Sequence, residues 1–221
     1  LRVYPVKVDA GDIWVDLRDP PAALRIEKVL GQLDHALTEF DTARIARELA
    51  RLGKAGAGPE VALARAIERT HARLKDGMTH AYAAADVWLA LGDSLATSSA
   101  TSFAKPLVSD AKRLACTTEA LVYIAYDTLR EPTYPYCEAS TAWDETGLAS
   151  AVEAQDENAA IAFVNGALAQ GLHYGDLEAA LARAALAHYN DFGHSLIYLA
   201  HVRQLVACLG AGAEAPLNRA M

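Results

Sequence analysis

Two periods divide the chain. From Leu1 to Leu17 apolar and polar residues alternate: Val6 and Val8 flank Lys7, and Ile13 and Val15 flank Trp14. A period of two puts successive side chains on opposite faces of a strand. Asp9-Ala10-Gly11-Asp12 between the runs supplies a hairpin turn, with a glycine available for positive φ. A lone hairpin is marginal in water, so this one is expected to pack on something.

Beyond Asp19-Pro20-Pro21 the period becomes helical. Leu24, Val29, Leu30, Leu33 and Leu37 predict a helix over Ala22–Phe40, and Asp41-Thr42 restarts another through Leu52. The stretch Gly53 to Glu60 is a connection, and Pro59 opens a helix expected to run to Lys75. Asp76-Gly77 interrupts the pattern; Met78–Leu91 resumes it, closed by Gly92-Asp93-Ser94 and a Ser/Thr-rich link over 97–102. A long pattern covers Lys105–Leu129, followed by a loop stiffened by Pro132 and Pro135. Trp143–Ala154 is weakly patterned, and Asp156–Gln170 reads as a helix that Gly171 stops. Tyr174–Asn190 and Asp191–Leu209 read as two helices or one continuous one. The expectation is an all-α bundle or array of about eight or nine helices joined by short connections. Its organisation is a hairpin over 1–18, a helical domain over 20–210 and a frayed, small-residue tail over 211–221.

Composition sharpens this picture. Of 221 residues 52% are hydrophobic but only 7% aromatic, which favours closely packed, alanine-rich helices. A net charge of −8 argues against a phosphate-neutralising surface, and no basic run overrides that average, so no nucleic-acid partner is expected. No apolar run is long enough to span a bilayer and no signal peptide is evident, so no membrane partner is expected either. Cys116, Cys137 and Cys208 are sparse and unpaired in sequence, which points to a reducing, cytoplasmic setting; Cys116 and Cys208 read as small buried hydrophobes. The chain starts at Leu1 inside a strand-like run, as a fragment of a longer protein would.

The candidate chemistry lies in the histidines. Asp191, His194, Tyr198 and His201 stand at i, i+3, i+7 and i+10, which on one helix is a single face. A second segment carries Glu68, His71, Asp76, His80, Tyr82 and Asp86. In both, carboxylates precede histidines by three or four positions: Glu68 and His71, Asp76 and His80, Asp191 and His194. Helical bundles build metal sites from such pairs. The expected ligands are His71, His188, His194, His201 and Asp86, around iron, manganese or zinc. The expected catalytic groups are His80, His194, Tyr198 and Asp191, with Asp191 orienting His194. A metal-free pocket and purely structural histidines remain open beside this, because Glu68-Arg69-Thr70-His71 is the one E-x-x-H pair where a di-iron bundle needs two. Glu119 reads as a solvent-facing carboxylate. No P-loop, nucleophile elbow, Ser-His-Asp order or dinucleotide fingerprint occurs.

Two resemblances add to these readings. YPVKVDAGDIWVDL, residues 4–17, resembles the closing hairpin of a Rieske-type ferredoxin domain. That implies an electron-transfer domain upstream; the Cys-x-His and Cys-x-x-His pairs that ligate a Rieske cluster are absent from this chain. The segments THAYAAADVW and DFGHSLIYLAHVRQL are similar to all-helical, histidine-studded proteins of the questin-oxidase-like group, with no catalytic motif matched and no residue role carried over. Together they lead to the expectation of a helical oxidoreductase module. It would act on a small organic substrate, with a Rieske-like domain and further copies of itself as partners. The alternative is a non-catalytic interaction or dimerisation module attached to such a domain.

Overall fold

The structure, a computed structural model, describes residues 4–98, 105–189 and 191–221. Most of the expected Ser/Thr-rich link lies outside them, as does the side chain of Asp191. Within them an N-terminal hairpin precedes ten α-helices, so the fold is all-α with a short β-hairpin.

The hairpin pairs β1 (Val6–Asp9) with β2 (Asp12–Val15), Val6 opposite Val15 and Val8 opposite Ile13. Ala10 and Gly11 both take positive φ, 51° and 88°, matching the turn to the twist of the strands. Every strand position is nevertheless exposed, Ile13 by 72% and Val8 by 68%. The strands do not bury their side chains against the described helices. The hairpin's own ladder and the Asp16 N–H donated to the Pro5 carbonyl hold it.

Helices α1 (Ala22–Thr38) and α2 (Thr42–Ala55) are separated by Asp41, whose carboxylate accepts the Arg44 N–H at 2.9 Å and caps α2. Gly56, at φ 97°, ends α2. Helix α3 (Pro59–Thr70) stops earlier than its pattern predicts: a 3₁₀ turn, His71–Arg73, and Gly77 at φ 86° intervene before α4 (His80–Ser98). Consequently Asp76 and His80 share no helical turn. Helix α4 runs through Gly92-Asp93-Ser94 rather than ending there, since a glycine inside a helix costs only about 1 kcal/mol. At Gly92 a β-carbon would lie 3.2 Å from Cys116 Cβ and 3.3 Å from Arg113 Cα, so glycine lets α5 (Lys105–Thr128) approach.

After the proline loop come α6 (Glu145–Glu153), α7 (Glu157–Ala169), α8 (Tyr174–Ala187), α9 (His194–Leu209) and α10 (Glu214–Arg219). Asp144 and Asp156 cap α6 and α7. Helices α8 and α9 are not continuous: Phe192 and Gly193 take φ of 56° and 79°. Asp191 thus sits in a 3₁₀ turn, and the helical stripe begins at His194. The tail expected to fray is helical instead, with Leu217 fully buried and Glu214 and Asn218 nearly so. The main core joins α1–α5 to α9 and α10 through Leu33, Ile45, Leu63, Tyr82, Ile124 and Leu205; a small second cluster centres on Val164 and Leu177. No helix of the described residues is long and apolar enough to cross a membrane.

Candidate functional site

The sequence-derived residues fall into three places. Along the seam of α4 and α9, His80 Nε2 meets His194 Nε2 at 3.1 Å, and further on His201 Nδ1 meets Asp86 Oδ1 at 2.9 Å. The pairs are 114 and 115 positions apart in sequence, so the two helices run parallel here. Tyr198, one turn after His194, places its ring edge-on to His80 with centroids 6.0 Å apart. His80 is exposed; His194, Tyr198, His201 and Asp86 are half-buried.

Each contact dictates protons. A carboxylate only accepts, so His201 donates Nδ1–H to Asp86, and in the neutral imidazole the lone pair is then on Nε2. The facing Nε2 atoms of His80 and His194 require one donor and one acceptor, or a cation between them. Metal–nitrogen bonds of about 2.0–2.1 Å set neighbouring ligand atoms about 2.9–3.4 Å apart, and the 3.1 Å pair fits two such positions. It fits only two. Among the described residues no group of three His, Cys, Asp or Glu is placed to hold a metal ion.

The other expected ligands lie elsewhere. His71, just past α3, has a buried Nδ1 without a partner, and burial, reinforced by the Arg219 charge, lowers its pKa. It lines a separate depression with Glu68 and Arg65. His188, at the C-terminal end of α8, contacts Glu153 of α6 through Nε2 at 3.0 Å. The single five-ligand cluster expected from spacing is therefore not assembled by the described residues. Spacing along one helix says nothing about which helices face each other. Cys208 is likewise exposed rather than buried, since the inward positions of α9 are Leu199, Val202 and Leu205. Glu119 is exposed, as read.

His188 stands at a half-open cavity of about 420 Å³ lined by α6, α7, α8, the start of α9 and the end of α10. Its walls are mostly apolar, with Leu148, Ile161, Val164, Ala184 and Leu199 among them. Tyr136 closes one side, its hydroxyl donating to the Leu74 carbonyl at 2.7 Å; burial pushes its pKa up to about 12, so it stays protonated. Ser195 lines the cavity, whereas the adjacent His194 points to the seam with α4, so the cavity and the histidine pair lie on different sides of the first turn of α9. A strap of loop, 137–141, crosses α7. Asn165 Nδ2 donates to the carbonyls of Cys137 and Ala139, and its Oδ1 accepts from Arg219. Neither Glu153 nor Asn165 carries a sequence signal, because each acquires its role from a partner far along the chain.

No protein-family model matches the chain, and no curated protein or solved structure matches it. The Rieske-like and questin-oxidase-like resemblances rest on the quoted residues alone.

Proposed function

We propose that this protein binds a small organic molecule in the cavity between α6, α7, α8 and α10 and acts on it through His188. The observation that carries this is an apolar-walled space of about 420 Å³ with a histidine–carboxylate pair at its edge. The volume falls in the range of small-molecule sites, which typically combine apolar walls with few polar groups. Glu153 accepts Nε2–H of His188, and in the neutral imidazole the lone pair is then on Nδ1, as a proton acceptor. The oxidoreductase form of the proposal adds an electron acceptor: a Rieske-like partner, or an iron or manganese ion at His80 and His194. The cavity residues named above contribute a proton carrier and no redox group.

The test fills the space. Ala184, half-buried in the wall, replaced by Trp would occupy the cavity. A thermal-shift screen of small aromatic and aliphatic carbonyl compounds is expected to find binders of the native protein that Ala184→Trp no longer binds. Binders unaffected by a folded Ala184→Trp would refute the assignment.

One observation favours a second reading, the docking or dimerisation module. Val6, Val8, Ile13 and Val15 lie on one face of the hairpin, all exposed. Aliphatic faces of this kind mark contact surfaces.

A further inference from the structure

Asn218 of α10 is 2% exposed and belongs to the cavity wall. Neither Nδ2 nor Oδ1 of its amide has a hydrogen-bond partner, and both are screened from solvent. Buried amides almost always find partners, because an unpaired donor or acceptor retains its full desolvation penalty. Two neighbouring wall residues direct their hydrogen bonds elsewhere. The Tyr136 hydroxyl is committed to Leu74, and Arg219 Nε to Asn165. Asn165 itself shows what an amide in this region does when partners exist, with three hydrogen bonds.

We infer that Asn218 is the recognition residue of the cavity, for a ligand that joins an apolar body to one edge carrying a donor beside an acceptor. A primary carboxamide, a lactam or a protonated carboxylic acid has that edge; an ester or an ionised carboxylate lacks the donor. Asn218 Nδ2–H donates to the ligand carbonyl while Oδ1 accepts from the ligand N–H or O–H, closing a cyclic pair. Because the amide is sealed in the wall, binding requires it to turn into the cavity. The two unmade hydrogen bonds favour that turn, and the apolar walls take up the rest of the ligand. The inference rests on the proposal that this cavity takes a small organic molecule.

The experiment uses 2-naphthamide and methyl 2-naphthoate, near-isosteric probes that differ in the donor, in calorimetric titrations of the full chain. The amide is expected to bind about tenfold tighter than the ester or better. In Asn218→Leu the preference should vanish while the ester still binds. Because that variant could fail to fold, the side-chain NH₂ resonances of Asn218 in the native protein supply a second readout: they should shift with the amide and not with the ester. Equal affinities in the native protein, or a preference that survives Asn218→Leu, overturn the role of Asn218 and leave the cavity proposal standing. Binding of neither probe to the folded native protein overturns both.

Discussion

His194 shows how a residue's meaning changes with its neighbours. By spacing it belongs with Asp191, three positions earlier; in the fold its nearest described imidazole is His80, on another helix, 3.1 Å away. Two imidazoles so placed offer half a coordination sphere, with solvent on one side. We expect one equivalent of Co²⁺ or Zn²⁺ to bind with modest affinity, and His80→Ala or His194→Ala to weaken it by about tenfold or more, as loss of one good ligand does. His71→Ala and His188→Ala should leave it unchanged, since neither lies at this seam. Isothermal titration with plasma mass spectrometry of the dialysed protein checks this. Equal loss in all four variants would restore the single cluster expected from spacing.

At the scale of elements, glycines with the same sequence signature have opposite roles. Gly31 lies within α1 and a β-carbon there would meet nothing within 4 Å; Gly166 lies within α7 and a β-carbon there would collide with the Thr141 carbonyl. Gly31→Ala should raise stability by about 0.5–1 kcal/mol by restoring helix propensity. Gly166→Ala should lower it by about 2–3 kcal/mol or more, because backbone must move where the strap crosses the helix. Urea unfolding midpoints distinguish the two, and a neutral Gly166→Ala would show that the strap is not held against α7. Most elements were legible. Asp41, Asp156 and Gly171 mark helix ends by local hydrogen bonding and backbone freedom, which neighbouring residues suffice to specify. The close crossing at Gly166 was not, because it depends on a loop 25 positions away in sequence.

For the whole molecule, the hairpin is the outlier. Buried aliphatic positions gather in the helical core, while Val6, Val8, Ile13 and Val15 remain in water. If these residues mediate self-association, the double substitution Val8→Lys and Ile13→Lys should reduce the mass measured by light scattering to that of the monomer, with the helical circular dichroism unchanged. A native protein already monomeric at high concentration would remove self-association from the docking reading. The cavity and the histidine pair, at the other elements, should be indifferent to this change.

Sequence by itself determined the helical class, the hairpin and its turn, and the positions of most helix ends, because periodicity, capping and positive φ act over a few residues. It also singled out the histidines, since their chemistry belongs to the residue type. Tertiary structure alone decided which of them meet. The break at Phe192 and Gly193 removes Asp191 from the helix of His194. The parallel seam of α4 and α9 brings His80 to His194 and Asp86 to His201. The folding of the last ten residues onto α7 and α9 makes a wall, with an idle amide in it, from a stretch whose small residues suggest a loose tail. Such contacts join residues tens to more than a hundred positions apart, and their energies depend on shape complementarity between whole elements, which no local pattern encodes.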